Sequence, residues 1–510
     1  MQVRTRMIFK NRKEQGVKGC FWVMLSGMIL VILLLYFADG ISGNDYWWHV
    51  KTGEWIVNHG EVPRKDMYSW VGREEGLSWT PHEWLSEVCL YGIRRTAGDE
   101  GVYVFCVAGA LLLNFFLLWE NRGRLLHNCI FALFFYAFLA AVSGNLCYGR
   151  PHFFTFFLLA VELHCLYAYL EHPGSHGIYG IPVIGLLWGN LHAGSAPLAY
   201  LLPFLLCVSG IWEIRMGKLC SCKFGKRELW KQVLVILLTM AAVCINPLGV
   251  RAFLYPYTQV GQELQMRVIS EWGAPDIKQT GQMVVYFIPV FLTVLGMMLT
   301  EKKIRLYDML LMGLFGYLFL RSQRFIMFYD ISAVFWAFRY ALPVKVKDKT
   351  GIPGKILLIV CLGGILAAAC TGFMSVGEKC LSGQCICMEL PEEMVELVRQ
   401  EKPERLFNDY DYGGELIFHG VDVFFDGRAD VYSEGTMLSD GVSLLFLQQM
   451  DQETGGSSGS VTELLEYYDF DGILVRESRP LYGFLCSCRE KYELVFETGG
   501  AAYFKLIQEK

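Results

Sequence analysis

Along most of the chain, apolar runs free of charge alternate with short polar segments. The runs fall near residues 20–38, 101–119, 129–147, 152–170, 178–191, 196–212, 232–246, 283–300, 307–320, 325–342 and 355–373. About 20 apolar residues are enough to cross a bilayer as a helix. The pattern therefore predicts a polytopic α-helical membrane bundle of about eleven spans over residues 20–373. Runs 178–191, 232–246 and 307–320 are short, and a re-entrant or buried helix fits them as well. The polar stretch 39–100 is the one long interruption. After Phe373 the pattern changes, and 378–510 reads as a soluble α/β domain. Pro391 to Gln400 opens like a helix, with Pro followed by acids. Strands are predicted at Leu406–Asn408, Val423–Asp426, Gly472–Val475 and Ala502–Leu506. Gly455 to Ser460 (GGSSGS) reads as a flexible loop, and no repeat of fixed period is visible.

Charge in the polar segments orients the bundle. Residues 1–19, 213–231, 301–306 and 343–355 carry the Lys and Arg, and with eleven spans all of these fall on one side. The positive-inside rule makes that side cytoplasmic. The N-terminus is then cytoplasmic, while loop 39–100 and the domain 378–510 face outward, in a multi-pass plasma-membrane protein. The basic stretch before Cys20 followed by an apolar run resembles a secretory signal, but no small-residue cleavage site follows it, so an uncleaved first helix is expected.

Composition adds little beyond this. Charged residues make up 19% of the chain, against about a quarter in a soluble protein. A net charge of -5 with no basic domain gives no ground for nucleic-acid binding. Most of the 17 cysteines lie in apolar runs as packing residues. Cys380, Cys385, Cys387, Cys486 and Cys488 would lie outside, where disulfides are permitted. Cys220 and Cys222 form a lone CxC without the second pair a metal site needs.

The candidate chemistry gathers in the first outer loop. It begins Asn44-Asp45-Tyr46-Trp47-Trp48-His49 and later reads Trp79-Thr80-Pro81-His82-Glu83-Trp84. A carboxylate just beyond a span, beside a histidine, can serve as general base toward an acceptor hydroxyl. The tryptophans suit either stacking on sugar rings or an aromatic belt with a loop folded over the bundle, and the second is the more economical account. Four histidines, His49, His82, His152 and His192, are expected near the outer face. With Asp45 and Glu83 they form a candidate divalent-cation set, although none has zinc-like spacing, and structural histidines are the commoner outcome. Arg150, Arg251, Arg321 and Arg324 each lie near the outer end of a span, where a charge is costly and often functional. They could hold a phosphate through the planar guanidinium fork, snorkel to headgroups, or pair with Glu271 and Asp276. Tyr412-Gly413-Gly414 lacks the rest of a phosphate loop and reads as a tight turn into a helix. Asp426-Gly427-Arg428 and Asp430 read as a turn with a local ion pair.

The long first outer loop with Asp45 directly after helix one, the many-helix bundle and the outer domain resemble the GT-C superfamily. That group includes protein O-mannosyltransferases, lipid A aminoarabinose transferases and oligosaccharyltransferases. A set of bacterial membrane proteins shares the pattern D-x-W-W-H…H-G-x-V-P…D…S-W…W…H-E-W-L. Here that pattern runs from Asp45 to Leu85, accompanied by Asn190-Leu191-His192-Ala193-Gly194, Asn246-Pro247-Leu248-Gly249, Arg324-Phe325, Asn408-Asp409-Tyr410 and Asp426-Gly427-Arg428-Ala429-Asp430. The resemblance implies an inverting glycosyltransferase. It would move a sugar from a polyprenyl-phosphate carrier to an envelope acceptor, with an outer-loop carboxylate as base. Asp45 is the residue in that position. Many relatives carry two adjacent acids, whereas Tyr46 follows Asp45 here, and Glu83 would have to supply the second carboxylate. The arginines would hold the donor phosphate, and Trp48, His49, His82, His152 and His192 would line the pocket. A lipid flippase or transporter and a non-catalytic envelope assembly or binding protein stand as alternatives. The absence of a clear repeat and the scarcity of mid-span ionisable residues (Glu162 and His164) count against a carrier.

Overall fold

The computed structural model describes residues 21–35, 37, 40–41, 43–259, 265, 269–342, 352–433, 436–448 and 460–507. The basic N-terminus, Lys345, Lys347 and Lys349, and the loop up to Gly459 lie outside the described residues. Each apolar run expected to cross the membrane lies on a helix. Among the described residues, three helices are long and apolar enough to cross by length and composition: Trp84–Val142, His152–Glu171 and Thr280–Leu299. Shorter apolar helices include Phe21–Leu35 and Ala193–Ser209. The long helix Trp84–Leu125 bends at Gly98 (φ 69°). Its first part lies along the outer loop, and its apolar second part enters the bundle. Arg94 pairs with Asp99 at the bend (2.6 Å), and Tyr46 donates to the same carboxylate (2.7 Å).

The bundle interior is one continuous apolar core running from Leu25 to Tyr340. At one end of it, strands β1 (Ile214–Met216), β2 (Leu219–Ser221) and β3 (Ile304–Arg305) form a small sheet in the order β1-β2-β3. The parallel pairing Leu219↔Ile304 joins the two Lys/Arg-rich segments 213–231 and 301–306. These segments therefore share a face, as their charge pattern predicts. At the opposite end, Ile41 bridges Ile386, so the exit of the first helix meets the exit of the helix Ile352–Ser382.

The C-terminal region is an α/β unit with a second core. Its mixed sheet has the order β4-β5-β7-β6, from β4 (Leu406–Asn408), β5 (Gly472–Arg476), β6 (Tyr492–Thr498) and β7 (Ala501–Leu506). Three of the four predicted strands form. Val423–Asp426 does not, because Asn408 captures its backbone: the side chain accepts from Phe424 N (2.8 Å) and donates to Phe425 O (2.9 Å). Strand β6 was not expected. The predicted helix is present as Glu392–Glu401, and Cys380, Cys385, Cys486 and Cys488 form no disulfide.

The first outer loop belongs to this second core. Trp48, Trp70 and Trp79 are buried within it, so two of the loop's tryptophans, Trp70 and Trp79, build a joint and do not lie free at a membrane surface. Trp70 Nε1 donates to Leu406 O across 336 residues of sequence (3.0 Å). The central link is Arg428, 2% exposed. It bonds Asp426 with two nitrogens (2.8 and 2.6 Å) and Asp66 with a third (2.8 Å). Its guanidinium also lies over the rings of Trp79 (4.6 Å) and Tyr68 (4.9 Å). Removing one member of a buried ion set leaves the others uncompensated, at a cost of about 3–5 kcal/mol. Arg428→Ala is therefore expected to release the outer domain from loop 39–100. Limited proteolysis of the detergent-solubilised protein checks this: new cleavage should appear in both segments, well below the unfolding temperature of the bundle.

Candidate active site

Above the bundle and beneath the outer domain lies a cavity of about 920 Å3. Its walls come from the first outer loop, the turn at 148–152, the turn at 192–201, helix Val250–Thr258, residues 269–272, the segment 314–328 and the outer domain. Asp45, Glu83, Trp48, His49, His82, His152, His192, Arg150, Arg321 and Arg324 all line it. Arg251 does not. It is exposed on helix Val250–Thr258, whose buried side carries Ala252 and whose Tyr255 enters the cavity.

Asp45 is the first residue of helix Asp45–His59, where the helix dipole favours negative charge. Its carboxylate stands 3.0 Å from Arg150 Nε and accepts from Trp48 Nε1 (3.2 Å). Arg150 in turn reaches both oxygens of Glu271 (3.1 Å each). Burial raises the Asp45 pKa above its ordinary value, with Arg150 opposing the rise. The helix is held against Trp84–Leu125 by a close approach at Gly53, where a Cβ would sit 2.1 Å from Glu87 O. The outer domain closes over the start of the helix. Asn44 donates to Asp411 (3.0 Å), and a Cβ at Gly414 would meet Asn44 O at 2.0 Å. A Cβ at Gly427 would fall 2.0 Å from Asp45 Oδ1. The Asp426–Arg428 turn and the start of helix Gly413–Phe418 thus fix the position of Asp45.

Glu83 is surrounded by imidazoles. His192 Nε2 lies 3.1 Å and His82 Nε2 3.4 Å from its Oε1, and His49 Nε2 lies 3.5 Å from Oε2. Burial alone would raise the Glu83 pKa, but the histidines, His82 first, outweigh it and hold the carboxyl well below its usual range. Burial also opposes charge on His82, yet the Glu83 carboxylate raises it. His49 and His192 are pushed down to about 3, chiefly by burial. One ligand atom each from His82, Glu83 and His192 lies within 4.8 Å of the others, a group able to hold a metal ion.

The other motif residues divide between the wall and the scaffold. Arg324 contacts His152 Nε2 and stacks over Trp272 at 4.3 Å. Asn190 and Asn246 tie two helix ends together, through Ile245 O (2.8 Å) and Gly189 O (2.6 Å). Tyr255 was not foreseen; it stacks on His82 (3.9 Å) and donates to Asp430 (3.1 Å). Nor was Arg479, which lines the cavity and pairs with Asp409 and Asp411. Neither has a local signal, since each is placed by contacts distant in sequence.

No family model matches the chain, and no curated protein matches it. Solved structures do. The apo oligosaccharyltransferase of Archaeoglobus fulgidus aligns with a TM-score of 0.51 at 11% identity, covering 88% of this chain and 69% of that one. Archaeal AglB from the same organism, in complex with an inhibitory peptide and a dolichol-phosphate, aligns at 0.48 and 12% identity, with coverages of 88% and 69%. ArnT from Cupriavidus metallidurans, bound to undecaprenyl phosphate, aligns at 0.45 and 12% identity, covering 94% of this chain and 97% of that one. The chain has a GT-C-like fold.

The contact at Gly427 is testable without an activity assay. Overpacking of this kind costs about 1–3 kcal/mol. Gly427→Ala should lower the unfolding temperature of the solubilised protein. Gly483→Ala, in helix Pro480–Ser487 with open space at its Cβ, should leave it unchanged or raise it.

Proposed function

We propose that the protein is a membrane glycosyltransferase that uses a polyprenyl-phosphate-linked sugar, with Asp45 as general base. The observation that carries this reading is the convergence of Asp45, Arg150, Arg321 and Arg324 on one cavity. The polar half of that cavity lies beside an apolar flank of Leu198, Leu201, Leu314, Tyr317 and Leu318. A lipid-linked donor needs both halves: cations for the phosphate and an apolar approach for the chain. A GT-C-like fold is consistent with this division. A first loop with no cavity beneath it would favour the non-catalytic alternative, whereas Asp45, Trp48, His49, His82 and Glu83 line one.

The roles follow from the contacts. Asp45 takes the proton of the acceptor hydroxyl. The hydroxyl oxygen then attacks the anomeric carbon, and the bond from that carbon to the phosphate oxygen breaks with inversion. The phosphate leaves with the bonding electron pair, facing Arg321 and Arg324. Arg150 is engaged by Asp45 and Glu271, so its task is to keep Asp45 ionised inside a buried wall. Glu83, enclosed by imidazoles, orients the histidines and is not a second base. The Lys/Arg-rich face is cytoplasmic under the positive-inside rule. The cavity and residues 378–510 then lie outside, where an envelope acceptor would be met.

Asp45→Asn should lower transfer by about 100- to 10,000-fold, the usual share of a general base, with expression and unfolding temperature retained. The assay is transfer from a labelled polyprenyl-phosphate sugar in proteoliposomes, and an active Asn variant removes Asp45 as the base. Arg150→Met tests the second role. Loss of the cation favours the protonated carboxyl, so the Asp45 pKa rises further. The acid limb of the pH–rate profile should then move to higher pH, by about one to three pH units. An unmoved limb would separate Arg150 from the base.

A further inference from the structure

We propose that Arg124, Lys302, Arg305 and Arg339 form a binding site for the phosphodiester headgroup of an anionic lipid, on the Lys/Arg-rich end of the bundle. The site does not depend on the transferase reading. Helix Ile326–Tyr340 begins at the cavity, which Phe325 and Phe328 line, and runs to the opposite end of the bundle. There its last turn gathers the four cations. Arg339 belongs to that turn, and Arg124 to the last turn of helix Trp84–Leu125. Lys302 lies just before strand β3, whose second residue is Arg305. Arg124 Nη1 stands 3.5 Å from Phe335 O, Lys302 Nζ donates to Arg339 O (2.7 Å), and Arg305 N donates to Tyr340 Oη (3.0 Å).

These cations are short of acids. Glu171 is shared by Arg124 and Arg305, each 3.5 Å from the same oxygen, Oε1. Asp308, the buried acid at this end, accepts from the Tyr167 and Tyr340 hydroxyls instead (2.6 and 2.5 Å). Arg339 Nε is buried without a partner, and among the described residues no ion pair engages Arg339, Lys302 or the exposed Glu301. The cations also oppose one another: partial burial first, then the Arg339 and Arg124 charges, lower the Lys302 pKa. A helix C-terminus favours a cation through its dipole. That accounts for Arg124 and Arg339 singly, but not for four cations around one shared carboxylate oxygen. An anion seated among them removes the repulsion. Guanidinium forks match the oxygens of phosphate, and the level is that of headgroups, since helices His152–Glu171 and Thr280–Leu299 both end here. Exposed Met298, Leu299 and Leu342 lie within four residues of Lys302 or Arg339. A lipid brings chains for that apolar edge together with its phosphate, whereas free phosphate leaves the edge uncovered. Basic pockets between transmembrane helices on the cytoplasmic side hold such headgroups, and this face is cytoplasmic under the positive-inside rule.

The test uses the full-length protein in detergent, titrated with phosphatidylglycerol or with phosphatidylcholine, with bound lipid counted by native mass spectrometry. We expect phosphatidylglycerol to bind the more tightly and to raise the unfolding temperature. Lys302→Gln and Arg339→Gln should each weaken its binding about fivefold, and together about 25-fold, the usual worth of basic residues beside an anionic headgroup. Lys226→Gln, an exposed cation at the start of helix Lys226–Val243, should bind as the parent does. Each variant's unfolding temperature in phosphatidylcholine shows that it is folded. Should Arg339→Gln fail to fold, Lys302→Gln, whose side chain is exposed, decides. Equal binding of the two lipids or unchanged affinity in the folded variants would overturn the proposal. So would a loss in Lys226→Gln matching that in Lys302→Gln, which marks diffuse surface charge. Displacement of the lipid by an equal concentration of inorganic phosphate would overturn it as well, in favour of a free-phosphate site.

Discussion

Everything above the bundle depends on one buried cation. Arg428 is held by two carboxylates from opposite sides of a joint, Asp426 of the outer domain and Asp66 of the first loop. Asp66 is further fixed by Ser69 and by the Tyr68 backbone N–H (3.1 Å), and Tyr432 contacts both Arg428 and Asp426. Burying such a set stabilises little in net terms, because desolvation offsets the attraction. What it provides is registration. Three aromatic rings and two acids admit the guanidinium in one orientation, and that orientation carries Gly427 to the edge of Asp45. The position of a reactive carboxylate on the first loop is thus set by a turn nearly four hundred residues later.

The membrane part was legible because its code is local. A helix must satisfy its own backbone within the bilayer, so an apolar run of sufficient length predicts itself, and each predicted run lies on a helix. The basic segments were equally readable, and the pairing of Leu219 with Ile304 brings two of them together. The outer domain was less so. Val423–Asp426 has the composition of a strand, but its backbone groups are taken by Asn408 and by Tyr68 O, which accepts from Val423 N (3.2 Å). Strand β6 carries a signal that could have been used: Gly499 and Gly500, both with positive φ, form the turn between Tyr492–Thr498 and Ala501–Leu506.

The site was legible in residue type and illegible in partnership. Acids, histidines and arginines at helix ends marked the right region. The charge pattern could not tell Arg150, which faces Asp45, from Arg251, which faces away, since both sit at the outer end of an apolar run. Nor could it tell that, of three tryptophans in one core, Trp48 also reaches the cavity while Trp70 and Trp79 do not. These distinctions rest on which face of a short helix meets a segment hundreds of residues away.

The two carboxylates of the first loop illustrate how environment divides labour. Asp45, half-buried, and Glu83, buried, line the same cavity, and desolvation pushes both pKa values up. Around Asp45 a single guanidinium, shared with Glu271, only partly opposes this, so the carboxyl stays raised. Around Glu83 the imidazoles more than reverse it. Groups driven apart in this way take different tasks. A carboxylate with a raised pKa and a cavity-facing edge can accept a proton and later release it, as a base requires. One whose ionised form the surrounding imidazoles favour is poor at taking a proton. A second acid beside Asp45 would raise both through mutual repulsion. With Tyr46 in that place and Glu83 removed to its own ring of histidines, each acid keeps the protonation behaviour its surroundings set.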